Sequence, residues 1–422
     1  MVNTIFADMD GKCEQLSRAG YVIVRNVVPV EMLEQFRHEA EALVDRARAR
    51  DPSWETTAQP RASMTADSDE QTIATVDFLL HDNTYGFSAQ LLGCPREQVA
   101  LKIALVLCNP EMTPDQPPRP GQTWGTDPRN WHRDVRPDRD GPLQAHLNDV
   151  EANGPGYVQW NVALYEDHVL YVVPGSHRRL NSQIERSHLG AEHGRLTPLP
   201  ESRRVELGPG DGVVYDNHAL HWGSKYTPAE QRRTLHFGYR SFGTIYPSQR
   251  HCHLPAGFWE TFAEGTPQRQ VTDHWLSLNL AEFATIEDMF RGVMAGDSNR
   301  FRRGLALLHP AQAGRVACLI LLTKVAAALQ GAGSEGAHTR DSTVYEWQIR
   351  QLAAKFTQDE LDFLWERFAP VDNVLKTGGG GHVTGFLGPS TDYEFERVPA
   401  GMTAEGLCAA IVAGDCSSLA HG

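Results

Sequence analysis

The spacing of apolar residues along the chain switches between strand-like and helix-like periods, and the switches outline the elements. A β-branched run at residues 20–28 (GYVIVRNVV) reads as a strand, preceded by a helical stretch. Pro29 then opens a segment in which Met32, Leu33, Phe36, Ala40 and Leu43 recur at helical spacing, so an amphipathic helix is expected there. Residues 51–75 turn polar and irregular, as a surface loop does, and residues 100–108 (ALKIALVLC) read as a buried strand. The Pro-, Gly- and Gln-rich stretch 109–130 is too long for a mere connection; loops of that length are functional lids or disordered segments. From 131 to 240 the pattern is different. Short β-rich runs at 157–165, 168–173, 203–207, 212–215 and 234–239, separated by Gly, Pro, Asn and Asp, predict an all-β sandwich or barrel.

Beyond about residue 250 the period becomes helical. Two helix starts carry capping boxes, Thr343-x-x-Glu346 and Thr357-x-x-Glu360. Tyr345, Ile349, Leu352 and Phe356 share one face of the first helix, and Leu361, Leu364 and Phe368 one face of the second, a spacing that means core packing rather than a cofactor box. The glycine run 378–381 lacks the Lys-Ser/Thr ending of a phosphate loop and reads as a turn. No internal repeat is visible.

Composition narrows the class. With 422 residues, 41% apolar and 22% charged, the chain can bury a sizeable core, which excludes disorder as the main state. A net charge of −14 is a poor balance for general nucleic-acid binding, which relies on neutralising phosphates. Seven scattered cysteines without a CxxC argue against a disulfide framework and against a zinc–thiolate site. The best candidate for a membrane span, 316–329, is interrupted by Lys324, and the N-terminus lacks a basic start followed by an apolar run. A cytoplasmic protein with neither nucleic-acid nor membrane partners is expected.

The candidate chemistry begins at Trp131-His132-Arg133-Asp134. With 18 histidines and 53 acidic residues, about two His-x-Asp/Glu triplets arise by chance, so the triplet alone proves nothing. On a strand, however, positions i and i+2 point to one face, so His132 and Asp134 can grip one metal while Arg133 faces away. An imidazole and a carboxylate make two thirds of the 2-His-1-carboxylate triad that suits non-haem Fe(II). The segment 208–224 (GPGDGVVYDNHALHWGS) offers His218 and His221 as the third ligand. They lie three apart, so extended backbone does not easily let both take part. Arg232-Arg233, at the head of the 234–239 strand, offers a guanidinium that can bind a carboxylate bidentately, as a dicarboxylate such as 2-oxoglutarate requires.

Taken in order, WHRD, then VVPGSHRR, then a Gly-Asp turn ten residues before a histidine, then an arginine eleven residues further on, this chain resembles the phytanoyl-CoA dioxygenase (PhyH-like) family over about residues 11–245. The resemblance implies an Fe(II)- and 2-oxoglutarate-dependent oxygenase on a mainly β core with helices, a double-stranded β-helix (jelly roll, cupin-like) with N-terminal helices and a C-terminal helical extension. Residues 1–250 would be the core with its N-terminal helices. Residues 251–422 would be a mostly helical extension packing on it, with a lid or a homodimer contact as further roles. Position by position, His132, Asp134 and His221 match the metal ligands, the choice over His218 following from the family's Gly-Asp turn at Gly210-Asp211. Arg232 matches the 2-oxoglutarate-binding arginine. His221-Trp222-Gly-Ser departs from the family's His-Gly-Ser, and if Trp222 is an insertion Arg233 takes that role. Lys102 matches loosely a co-substrate contact of some relatives, and His177 belongs to a structural turn. Trp124, Trp131, Trp160 and Tyr165 are either pocket lining or packing.

The function these matches imply is oxidation, foremost hydroxylation, of a C–H bond of a small molecule, in bacterial specialised metabolism, with Fe(II), 2-oxoglutarate and O2 consumed and ascorbate as in-vitro reductant. An acid at position 134 favours hydroxylation over halogenation, because related halogenases carry a small residue there. The alternatives are a facial-triad iron oxygenase that does not use 2-oxoglutarate and a non-catalytic iron-binding or scaffold protein.

Overall fold

A computed structural model describes residues 4–54, 60–109, 131–135, 141–191, 197–224, 231–243, 254–332, 344–376, 385–386, 397–399 and 402–415. Its strands are β1 (Tyr21–Val24), β2 (Arg61–Ser63), β3 (Val99–Cys108), β4 (His132–Arg133), β5 (Tyr157–Ala163), β6 (Leu170–Val172), β7 (Arg203–Arg204), β8 (Gly212–Tyr215), β9 (His221–Gly223), β10 (Arg233–Ser241) and β11 (Gly385–Phe386). The longer helices are α1 (Met9–Ala19), α2 (Leu33–Arg50), α3 (Leu143–Asn153), α4 (Gln183–Gly190), α5 (Pro267–Met294), α6 (Ser298–Leu308), α7 (Arg315–Gly331), α8 (Val344–Ala353), α9 (Gln358–Leu375) and α10 (Ala404–Ala413). The strands form the jelly roll as two sheets, one in the order β1-β8-β5-β10-β3-β2, the other β11-β4-β9-β6-β7.

Strand alternation decides what each sheet face carries. On the six-stranded sheet, Val22, Val158, Trp160, Val162, Val214, Leu235, Phe237 and Tyr239 point outward and are buried. Phe36, Ala40 and Leu43 of α2 and Leu16 of α1 join them in one apolar core. The helix predicted after Pro29 therefore exists because its apolar face covers this sheet. The run 20–28 is a strand only as far as Val24. Asn26 adopts a left-handed backbone (φ 55°) that asparagine tolerates, and its N–H donates to Asp211 Oδ1 at 3.0 Å. Asp211 also accepts from Gly208 N–H (3.0 Å) and Arg25 (2.6 Å), so the Gly-Asp turn is a clasp between the two strand ends.

The C-terminal helices build a second core around α7, with Phe290 of α5, Phe301 of α6, Leu364 and Phe368 of α9 and Leu407 of α10. The predicted box at Thr357 and Glu360 caps α9; Thr343 lies outside the described residues, as does the glycine run 378–381. By length and composition 312–331 is apolar enough to cross a membrane, yet 67% of that window is buried inside the protein. Lys324, in its middle, pairs with Asp372 at 2.6 Å and so satisfies its charge within the core.

Among the described residues, α5, α3 and β11 are among the elements that tie these helices to the jelly roll. Helix α5, about 42 Å long at 1.5 Å per residue, sends Trp275 into the sheet's apolar core and Phe290 into the helical one. Its Glu282 receives both Nη groups of Arg240 on β10 (2.7 and 2.8 Å), a buried bidentate pair. Helix α3, which follows the His-x-Asp segment, places Ala145 in the helical core, and β11 runs parallel to β4 with Gly385 beside His132.

Candidate metal centre

The strand β4 and the residue that follows it bring His132 and Asp134 to one face, as their spacing requires. Across the sheet His132 pairs with His221 at the start of β9, and the two rings lie 4.4 Å apart between centroids. The Asp134 carboxylate faces both imidazoles, Oδ1 at 3.5 Å from His132 Nε2 and Oδ2 at 3.8 Å from His221 Nε2. One ligand atom from each residue falls within 4.8 Å of the others, and among the described residues this is the only such convergence of three His, Cys, Asp or Glu side chains.

The protonation states suit a cation. His221 Nδ1–H donates to the Ala219 carbonyl (2.8 Å), which fixes the tautomer and leaves the Nε2 lone pair toward the centre. Burial, helped by the neighbouring His132, pulls its pKa down to about 4, so the ring is neutral near pH 7. Burial alone raises the Asp134 carboxyl, but the facing His221 and His132, and behind them Lys102, hold it well below the ordinary carboxylate range. Two imidazoles, the His221 ring neutral, and one half-buried ionised carboxylate fit a divalent transition metal and leave positions open.

The inner face of the six-stranded sheet closes over this group. Tyr157, Gln159 and Asn161 of β5 alternate inward. Gln159 Nε2 donates to Asp134 Oδ2 (3.1 Å) and to the Tyr215 hydroxyl (2.7 Å), while its Oε1 accepts from Tyr157 OH (2.8 Å). Tyr215 of β8 stands 5.1 Å from the His221 ring. On β10 the same face carries Thr234 and His236, whose Nδ1 lies 2.7 Å from Asn161 Oδ1. Burial brings the His236 pKa to about 3, and the charges of Arg61, then Asp134 and Arg232, also act on it. Lys102 reaches the interior because the register of β3 against β10 shifts between Ile103 and Leu101, a bulge that turns an extra residue inward. Its Nζ sits 4.4 Å from the centroid of the Tyr157 ring.

A family profile for phytanoyl-CoA dioxygenase (PhyH) matches residues 16–234, just over half of the chain. The protein belongs to this family. No functionally curated protein matches it. Among solved structures it is similar to HygX from Streptomyces hygroscopicus with nickel and 2-oxoglutarate bound (19% identity over 56% of this chain and 87% of that one, TM-score 0.39). It is also similar to AviO1 from Streptomyces viridochromogenes Tue57 (17% identity, 57% and 97%, TM-score 0.39). A third is EctD from S. alaskensis with 2-oxoglutarate and 5-hydroxyectoine (16% identity, 58% and 80%, TM-score 0.38).

In this PhyH-family chain the two arginines at the head of β10 part company. Arg232 shares the inner side with Thr234 and His236, and its Nε donates to Asp167 Oδ2 at 2.8 Å, the oxygen that also accepts from Thr234. Arg233 turns outward to Glu41 of α2 (2.8 Å). Trp222 continues β9 without a bulge, in unbroken register with β6: Val172 with His221, Tyr171 with Trp222, Leu170 with Gly223. Its ring lies on the opposite side of the strand from His221, tilted against Trp131 at 5.6 Å. His218 sits in the preceding turn, its Nδ1 bound to Asp216 at 2.8 Å and outside the triad.

The aromatic residues proposed for the pocket are packing where they are described. Trp160 points outward, stacks on Phe237 at 5.9 Å and donates to Ser88. Trp131 belongs to the outer core of the smaller sheet, and Tyr165 lies under Arg37. Trp124 lies outside the described residues. The pocket side is instead polar, and Gln159, Asn161, Tyr215 and His236 were missed. A signal existed: in YVQWNVA, Gln159 and Asn161 are polar residues at period two within an otherwise apolar strand, on the face opposite Val158, Trp160 and Val162.

Proposed function

We propose that the protein is an Fe(II)- and 2-oxoglutarate-dependent dioxygenase that hydroxylates a C–H bond of a small-molecule substrate. The observation that carries this reading is the joint placement of His132, Asp134 and His221 on one sheet with Arg232 on the inner face of the other. His132, Asp134 and His221 would hold the iron, and the iron with its co-substrate would supply the oxidising power when bound. Every other task falls to the chain. Arg232, its plane set by Asp167, would receive the far carboxylate of 2-oxoglutarate as a charge-assisted pair. Gln159 holds the Asp134 oxygen that faces His221, so the carboxylate cannot rotate away from the imidazoles. Asn161 keeps the Nδ1 proton of His236 engaged, which leaves a neutral ring beside the co-substrate position. The apolar inner end of the sandwich, with Leu170, Val172 and Val213, excludes water behind the site. Asp134 supplies a protein carboxylate where a halogenase would need room for chloride, which supports hydroxylation. Specialised metabolism remains the expected setting.

The test is succinate formation from 2-oxoglutarate with Fe(II), ascorbate and O2, in the presence of a metabolite extract that stimulates turnover. Wild type is expected to turn over, and Asp134→Ala to lose activity to background. Unchanged turnover in Asp134→Ala sinks the assignment of the triad. Unchanged turnover and 2-oxoglutarate binding in both Arg232→Ala and Arg233→Ala favours an iron oxygenase that does not use this co-substrate.

A further inference from the structure

His218 and Arg133 belong to sequence motifs whose residues the proposed chemistry leaves partly unused, and both converge on one turn. Residues 216–220 join β8, which carries Tyr215, to β9, which begins with His221. Three successive carbonyls of this turn are spent on the His-x-Asp segment and on the distal histidine. The Asn217 carbonyl accepts from Asp134 N–H at 2.8 Å, the His218 carbonyl from Arg133 Nη1 at 2.5 Å, and the Ala219 carbonyl from His221 Nδ1–H at 2.8 Å. Arg133 is fully buried and its guanidinium also donates to the Ser176 carbonyl (2.6 Å) and to Asn181 Oδ1 (2.7 Å). The turn's far side is fixed by Leu220, whose N–H donates to Ser176 Oγ at 2.7 Å.

What shapes the turn is Asp216. Its carboxylate is buried and accepts at one oxygen from both the backbone N–H of His218 (2.7 Å) and His218 Nδ1 (2.8 Å). This is the side-chain-to-backbone bond two residues on that folds an Asx turn. The Asp216 N–H donates to the Gly20 carbonyl (2.9 Å), and the Asp216 carbonyl accepts from Ala219 N–H (3.0 Å). The His218 ring in turn stacks on buried His146 of α3 at 5.6 Å. The carboxylate therefore sets where three carbonyls point, and those carbonyls hold the backbone of one metal ligand, the arginine between two of them, and the tautomer of the third.

We propose that Asp216, with His218 as its partner, is a positioning residue for the metal centre, acting through the carbonyls of residues 217–219. This rests on the metal reading of His132, Asp134 and His221. Outer partners that orient ligands are commonly worth 10–100-fold in metal affinity, and here one carboxylate governs three such contacts.

Anaerobic titration of the full-length metal-free protein with Co(II), followed by its visible ligand-field bands, separates the two readings. If wild type gives no bands, the metal reading itself fails. If it does, Asp216→Ala is expected to bind Co(II) about 10–100-fold more weakly, with altered band positions. Asp216→Asn, which keeps an oxygen acceptor for His218, is expected within about 3-fold of wild type, a rescue that a purely structural carboxylate would not show. His218→Phe keeps ring volume against His146 but loses the Nδ1 donor, and serves where Asp216→Ala does not fold; it is expected to weaken Co(II) binding several-fold. Circular dichroism and the melting temperature of each metal-free variant are read alongside. Co(II) affinity and spectrum unchanged in whichever of Asp216→Ala and His218→Phe is folded overturns the proposal.

Discussion

On β5, Val158, Trp160 and Val162 run into the apolar layer beneath α1 and α2, while Tyr157, Gln159 and Asn161, one residue out of step, face the metal-ligand cluster. β10 repeats the division, with Leu235, Phe237 and Tyr239 outward and Thr234 and His236 inward. The same backbone ladder thus serves two solvents. Its outer face is stabilised by area and shape, and aromatic residues there pack edge to face, as Phe87 does against Trp160 with centroids 5.6 Å apart. Its inner face buries polar groups that cost free energy unless each is paired, and they are paired with one another and with the triad. A face that pays this cost in the middle of a core is where chemistry is to be sought.

The sharpest way to break that division is to cut each face at its centre. Trp160→Ala is expected to destabilise the fold by about 3–5 kcal/mol, the usual cost of emptying a buried aromatic site, measured by urea unfolding, while the folded fraction keeps wild-type Co(II) affinity. Asp134→Ala should do the reverse, abolishing metal binding while the metal-free protein keeps a cooperative urea transition, since the apolar packing of the outer face is untouched. A Trp160→Ala protein that is folded but cannot bind metal would show that the outer face belongs to the site after all.

Arg232 and Arg233 make the same comparison between neighbours. Losing a charge-assisted pair costs about 1.5–3 kcal/mol, so Arg232→Ala should weaken 2-oxoglutarate binding to the metal-loaded protein by about 10–150-fold. Arg233→Ala, which cuts a partly exposed pair with Glu41, should change it less than about 3-fold. Calorimetric titration decides, and equal effects would dissolve the inner–outer assignment of β10. A smaller effect is expected from Gln159→Leu: metal affinity reduced by about 10-fold, as for other groups that orient a ligand, with 2-oxoglutarate affinity at saturating metal nearly unchanged. If Gln159→Leu binds metal as wild type does, Asp134 is oriented by its backbone alone.

How much of this was readable in advance follows the same line. The outer face announces itself through apolar residues at period two, and the strands at 100–108, 157–165 and 212–215 are found within two residues of their observed bounds. The His132, Asp134 and His221 spacings were legible because a motif fixes them along the chain. Arg232 was preferred to Arg233 through the family spacing alone, because adjacent residues differ only in the face they take, and that depends on a register set by β3 and β5. Lys102 escaped a spacing argument for a related reason, since the shift between Leu101 and Ile103 inverts parity at that point. The clasp of Asp211 on Asn26 and the meeting of α3 with α7 join residues far apart in sequence, and no local pattern records them.

The smallest predicted effect concerns acid. His236 carries a folded-state pKa of about 3, lowered first by burial, against about 6.5 in an unfolded chain. Between these values the unfolded state binds the extra proton, so stability rises with pH through the window and is lost as pH falls below about 6.5. His221, brought to about 4, loses stability in the same direction in metal-free protein. His236→Gln keeps a hydrogen-bonding side chain beside Asn161 but cannot titrate. Its metal-free form should therefore lose about 2 kcal/mol less stability than wild type between pH 7 and pH 5, read from urea midpoints at each pH. The remaining slope should be that of the other histidines lowered by burial, His221, His177 and His309 among them. An unchanged slope would mean that His236 reaches water and protons freely, and the inner face would then be an open cleft at that point, unlike the sealed layer behind Trp160.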